Sequence, residues 1–502
     1  MAPPDNPRRR NRRTATIDSV AVARRAAMPV ALEFSGGPDL SSIEAAAEAL
    51  LADVGVACRL PAGSAAKCVA AGLAVSTDRV RFPVPLVMDL MTKAPDRFVH
   101  ASRDGHSIEV STSMAVFGPA LSASYIWTGQ SRRPLTEADA ALFAAVAADT
   151  PGLGYGASSI GLLIPDADAG ARLGGFVNNA GRPLIVPSHM PFHARDLVAA
   201  ACAGDEGSCR LAMVASVDSA LTFDDAFIEA LAATAAAKQC LIVVPTLLIG
   251  ANAPATIEGS LVRFAAEAMA GIALAQALCP GQPVAVGATV ADVSMRNGLP
   301  VTGGANALAV LGAAIAMARR WNLAFYACGP ATNAKGFDTL GAAETSRWLT
   351  AAYHLGANAI IGAIGAVDLD DGLAIEKLIV DAEVVADLGC RLLDVNDDAA
   401  AELRASGPGG IFLGTEAARA LAHRQSASRL AGNSLFESWT AAGSPAIDGA
   451  IATIVDQTVV PAGGAIPIAA NVALLDRRPT HLADLAAEIY SRSIRDAFGF
   501  KG

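Results

Sequence analysis

Aromatic side chains are scarce: they make up 5% of the 502 residues, with four Trp and five Tyr. A core built on large rings is therefore excluded. The 53% hydrophobic content rests on Ala, Val, Leu and Ile, alongside 46 Gly. Small aliphatic residues of this kind suit helices packed closely on a parallel sheet. Charge is also sparse, at 17%, with a net value of −10. An acidic chain lacks the basic face that phosphate backbones require, so nucleic acid is not expected as a partner. The eight cysteines are scattered and no CxxC occurs. A zinc ribbon or dithiol centre is excluded, no metal site is expected, and a reduced cytoplasmic protein fits best. Apolar runs such as Ala307–Ala318 fall short of the ~18 residues of a bilayer span, so no membrane association is expected. The basic stretch PPDNPRRRNRRTAT has no apolar segment after its arginines, which excludes a secretory signal.

What is present is a repeated alternation. From about residue 150, short apolar runs end in Gly, Pro or Ser and give way to Ala-rich helical stretches. The candidate strands are Gly154–Ser158, Pro183–Pro187, Leu211–Ser216, Cys240–Pro245, Pro283–Gly287, Leu323–Cys328 and Ala357–Gly362, with Gly410–Leu413 less well marked. Repeated βα units predict a parallel sheet with right-handed crossovers. The expected architecture is an α/β (β/α)₈ TIM barrel with an N-terminal α+β extension and a C-terminal arm. A doubly wound sheet is the alternative, weakened by the lack of GxGxxG after a strand. The expected divisions are a disordered basic tail at 1–28, the extension at 29–150, the barrel at 151–440 and the arm at 441–502.

In a barrel, chemistry sits on loops beyond the carboxyl ends of the strands. The segment WNLAFYACGPATNAKGFDTL ends an apolar run at Gly329-Pro330, then places Thr332, Asn333, Lys335 and Asp338 together. These residues fit a catalytic mouth. They equally fit a turn and a helix cap. Lys335 is also a candidate Schiff-base lysine, as is Lys238. Beyond the next run, AVDLDDGLAIEK offers Asp368, Asp370, Asp371 and Glu376. Carboxylates here could face a cationic substrate, or simply complement a helix dipole. His189 and His193 have i,i+4 spacing without a further ligand, which is weak support for a metal. Tyr125 and Trp127, followed by Arg132, could form an aromatic wall for a quaternary ammonium or pack over the barrel. Thr246, Thr289, Tyr326 and Cys328, at or near candidate strand ends, are the other substrate-binding candidates. Asp104-Gly105-His106 begins the corrinoid-binding pattern D-x-H-x-x-G, but Glu109 occupies its last place. The chain is not expected to carry a corrinoid itself.

Several separated segments, in order, resemble one family. LLADVGVAC, VRFPVPLVMDLMTKAPDRF, the long run from SALTFDDAFIEAL to PGQPVAVG, GPATNAKGFD, GLAIEKLIVDAEVV and GPGGIFLG resemble the trimethylamine:corrinoid methyltransferase superfamily over roughly residues 30–440. The resemblance implies a (β/α)₈ barrel that moves a methyl group from an amine nitrogen to the Co(I) of a separate corrinoid protein. It implies a homo-oligomer with no cofactor of its own. Founding members carry pyrrolysine, which this sequence lacks. A quaternary amine needs no such activation, because its leaving group is a neutral amine. The resemblance therefore implies a substrate such as glycine betaine, with Asn333, Lys335, Asp338, Asp368 and Glu376 as catalytic candidates. Two stretches depart from the family pattern: GAVDLDDGL, and GTEAARAL after FLG. The alternatives are a Schiff-base aldolase-type barrel and a non-catalytic quaternary-amine binding protein.

Overall fold

The computed structural model describes residues 38–498, apart from 130, 165–167, 179–180, 206, 390–399, 423–427, 431–433, 461–473 and 478–480. The basic tail 1–28 and much of the apolar Pro/Gly passage near residue 465 lie outside the described residues.

The core is a parallel sheet. Its strands in chain order are β1 (Val116–Pro119), β2 (Leu184–Pro187), β3 (Leu211–Val217), β4 (Cys240–Ile249), β5 (Val284–Val293), β6 (Phe325–Cys328) and β7 (Ala359–Ile364). Their spatial order is β1-β7-β6-β5-β4-β3-β2, and every neighbouring pair is parallel. Helices follow the strands: α1 (Ala194–Cys202), α2 (Asp225–Ala236), α3 (Ile257–Leu278), α4 (Ala305–Arg320), α5 (Thr339–Leu355) and α6 (Ile375–Gly389). The apolar runs are buried on both faces, as in β4, where all ten residues are inside.

The sheet is curled. Ile185 of β2, Val214 of β3, Ile242 of β4, Ala285 of β5, Tyr326 of β6 and Ile361 of β7 belong to one buried cluster, which a flat sheet could not bring together. Tyr155 joins that cluster, and its hydroxyl lies 2.6 Å from that of Tyr326. A complete eight-stranded ring was expected. Seven strands pair, and Leu153 adds a single parallel bridge to Phe117 of β1. No pairing among the described residues joins Leu153 to β2, so hydrogen bonds do not close the ring.

Three expectations are corrected. Gly154–Ser158 forms no strand; a 3₁₀ turn starts at Ser158. Gly410–Leu413 is a turn between two short helices, with Ile411 and Leu413 exposed. β1 instead comes from the region read as the N-terminal extension. It is short, and its pairing partner lies more than two hundred residues away. Helix α3, of 22 residues, is long and apolar enough to cross a membrane, but 89% of its apolar window is packed inside the protein. It is a core helix, longer than the sequence runs suggested.

Asn358 ties β1 to its neighbours. Its Oδ1 accepts from Phe325 N at 2.9 Å, and its Nδ2 donates to Thr112 O at 2.8 Å and Met114 O at 3.0 Å. Asn358→Ala would leave buried backbone groups without partners. A loss of about 2–4 kcal/mol is expected in urea unfolding, since each unmet buried group costs ~1–3 kcal/mol.

Candidate functional site

The strands carry small polar residues where their apolar runs end. On a strand, residues two apart share a face. In β3 and just beyond it, Val214, Ser216 and Asp218 are in phase; in β4, Val244 and Thr246 are. These residues, with Thr289 of β5 and Cys328 of β6, line a cavity of about 110 Å³ at the carboxyl ends of the strands. That volume admits one small organic molecule. Tyr326 lies two residues before Cys328 on the same strand face, so the Tyr326–Tyr155 pair sits one layer beneath the cavity. The roof comes from the C-terminal arm. Leu482 and Leu485 of helix α7 (Leu482–Phe498) line the cavity and pack on Leu248 and Ala291. His481 fastens this helix, with Nε2 3.0 Å from Ser124 Oγ and 3.2 Å from Asp371 Oδ1.

Two carboxyl groups face the cavity. Asp218 Oδ1 accepts from Thr246 Oγ1 at 2.8 Å. Burial raises its pKa, while His189 and the Thr246 hydrogen bond oppose the rise. Asp370 is the more unusual. Its Oδ1 is out of contact with solvent and has no hydrogen-bond partner. Burial pushes its pKa up to about 8, although the Lys377 ammonium favours the ionised form. His189, also lining the cavity, pairs through Nε2 with Asp224 Oδ2 at 2.8 Å. Burial alone would lower its pKa, but Asp224 and Asp218 outweigh it and raise it. No Lys or Arg lines the cavity among the described residues.

Asp370 is held by an uncommon backbone. Asp368, Leu369 and Asp370 all have positive φ, at 52°, 58° and 71°. Such residues cost about 1–2 kcal/mol each and persist only where surrounding contacts impose them. Here Asp368 N donates to Ala334 O at 2.7 Å and Leu369 N to Thr332 O at 3.1 Å. The Asp368 carboxylate accepts from Tyr125 Oη at 2.8 Å and pairs with Lys335 Nζ, with Arg132 4.0 Å away. Arg132 also lies over the Tyr125 ring, 4.9 Å from its centre.

The structure thus brings Tyr125, Arg132, Lys335 and Asp368 together, but behind the loop that presents Asp370 rather than in the cavity lining. Trp127 packs against Gly336 in the same outer layer. Asn333 is used internally: Nδ2 donates to Pro300 O at 2.6 Å and Oδ1 accepts from Thr302 N at 3.2 Å. Asp338 caps α5 by accepting from Gly341 N at 2.8 Å. Glu376 lies in the first turn of α6, outside the lining. Among the substrate-binding candidates, Thr246, Thr289 and Cys328 line the cavity, and Tyr326 lies below it. His193 does not join His189; it bonds Glu229 at 2.7 Å.

Asp218 stands in the lining without having been a candidate, Asp370 was one of the carboxylates read as able to face a cation, and His189 was read only as a weak metal candidate. Phase with Ser216 was a readable signal for Asp218. For Asp370 the acidic stretch was readable, but its left-handed backbone was not, because distant contacts set it. Lys335 is exposed, so Lys335→Ala is expected to lower ligand affinity by no more than about fivefold by calorimetry, the most an exposed ion pair contributes.

A curled parallel sheet with a small acidic cavity at its carboxyl ends defines an α/β protein of the small-molecule enzyme type. Residues 5–160 and 193–460 match the model of the trimethylamine methyltransferase (MTTB) family, and the chain belongs to that family. It is similar to the glycine betaine methyltransferase of Desulfitobacterium hafniense strain Y51: 27% identical over 357 residues, covering 68% of this chain and 74% of that protein. The trimethylamine methyltransferase MttB2 of Methanosarcina mazei is 26% identical over 268 residues, covering 52% and 54%. The crystal structure of a hydroxylamine complex of MtmB aligns with a TM-score of 0.47 at 13% identity, over 85% of this chain and 90% of that one. Membership of the family supports methyltransferase activity for the chain.

Proposed function

We propose that the protein transfers a methyl group from a quaternary methylammonium to the Co(I) of a separate corrinoid protein. The observation that carries the substrate half of this reading is the cavity, where Asp218 and Asp370 face the interior and no Lys or Arg among the described residues opposes them. A permanent cation is the ligand such a site favours. The partner's reduced cobalt supplies the nucleophile. As the C–N bond breaks, its electron pair stays on nitrogen and a neutral amine leaves without needing a proton. The chain's own contribution is then placement and exclusion of water. Thr246 and Thr289 bound the methyl groups, the tyrosine pair supports the floor and α7 covers the top.

The aldolase reading finds no lysine lining the cavity among the described residues. Lys335 is paired outside, Lys238 is exposed at the opposite end of β4, and Lys377 is buried against Asp381 at 2.5 Å. Anaerobic incubation of the protein with free cob(I)alamin and a panel of methylated ammonium compounds tests the proposal. Enzyme-dependent methylation is expected, followed optically. Loss of cobalamin methylation with every compound, alongside borohydride trapping of an imine, would overturn it.

A further inference from the structure

We propose that the cavity selects a methylammonium carrying no carboxylate of its own: a monocation of the choline or tetraalkylammonium type, rather than a zwitterionic betaine. The inference rests on the methyl-transfer reading and goes beyond it by assigning the substrate's charge type.

A betaine brings two charges, and its carboxylate must find a cation or several donors when water is removed. The described lining offers no Lys or Arg, only the imidazoles of His189 and His481. Its two imidazoles are already committed to carboxylates, His189 to Asp224 at 2.8 Å and His481 to Asp371 at 3.2 Å. Nearby basic groups are engaged elsewhere. Lys335 serves Asp368, Arg477 bonds Glu229 at 2.8 Å, and Lys377 bonds Asp381 at 2.5 Å. Of the lining hydroxyls, Thr246 Oγ1 is spent on Asp218, and those of Ser122, Ser216 and Thr289 are neutral donors that carry no compensating charge.

The acidic side is over-supplied. Asp370 Oδ1 has no partner, although Asp368 two residues earlier is fully satisfied. A buried acceptor left open at a cavity wall is costly unless a ligand completes it. A betaine carboxylate in this volume would lie against Asp218 or Asp370, and wherever these are ionised the like charges repel strongly in a desolvated site.

Calorimetric titration of the full chain at pH 8.5 with tetramethylammonium, choline and glycine betaine is the test. The two monocations should bind on the order of tenfold or more tighter than glycine betaine. Asp370→Asn and Asp218→Asn should each weaken the monocations by about tenfold or more, while leaving the betaine unchanged or improved. Glycine betaine binding tighter than both monocations would overturn the assignment. The cob(I)alamin assay separates the two levels. If glycine betaine is the better methyl donor, the charge-type assignment fails and the methyltransferase reading stands. If the monocations bind as expected but none donates a methyl group, the methyltransferase reading fails and the cation site stands.

Discussion

Asp370→Asn is expected to make the protein more stable than the wild type, by a margin that widens as pH rises and then stops widening near pH 8. The folded protein holds the Asp370 proton until about pH 8, whereas the ordinary value is 3.8. Between those limits the unfolded chain has lost a proton that the folded chain keeps. Wild-type stability therefore falls as pH rises through this window, by up to about a factor of ten in the folding equilibrium per pH unit. Above the folded value both states are ionised and the difference is constant. Asparagine carries no such penalty. Urea unfolding of both proteins at several pH values between about 4 and 9 measures the gap, and a gap that does not change with pH would show that Asp370 is not held protonated.

The same linkage governs ligand binding. A cation favours the ionised carboxylate, so wild-type affinity should climb with pH up to about 8 and level off, and the asparagine variant should lose that climb. A site that weakens the fold but strengthens binding is a familiar exchange of stability for activity. It also suits the chemistry proposed. When the bound cation becomes a neutral amine, the carboxylate regains its proton from solvent and stops attracting the product.

The second large effect is expected far from solvent. Glu267 and Arg263, on successive turns of α3, form a buried pair at 2.8 Å. Glu267 Oε1 also accepts from Leu221 N at 2.8 Å. Arg263 donates to Asn252 O at 2.8 Å and Val217 O at 3.3 Å. Asn252 in turn donates to Asp218 O at 2.8 Å and Thr246 O at 2.9 Å. Glu267→Ala strands a guanidinium in the interior. Removing one member of a buried pair costs about 3–5 kcal/mol, and the loop bearing Asp218 loses its anchor. Glu267→Gln keeps an acceptor for Leu221 and should fall between. Replacing both residues with apolar ones should restore most of the stability but not ligand affinity. A cost under about 1 kcal/mol for Glu267→Ala in chemical unfolding would contradict this account.

Much of the sheet was readable because β2 to β7 are continuous apolar runs with clear stops. β1 escaped because VFGP is four residues long and finds its partner only in the folded chain. GIFL failed in the opposite sense: it has strand composition, but Ile411 and Leu413 are exposed and no strand among the described residues pairs with it. The site divides along the same line. Thr246, Thr289 and Cys328 follow from strand ends, which sequence marks well. The polar group after Gly329-Pro330 was visible, yet its members support the walls. Asn333 ties down the 300–302 segment and Asp338 caps a helix, both short-range roles that composition allows as readily as catalysis. Asp370 depends on Thr332 and Ala334 holding a left-handed turn, which no local pattern announces.

Helix α7 supplies the roof, while Leu121 and Ser122 contribute from about 360 residues earlier in the sequence. During synthesis the basin must therefore stand open until residues 482–498 clear the ribosome. A chain shortened before His481 would retain the strands and both acids, yet it would present them to bulk water, where neither carboxyl group keeps its unusual acidity.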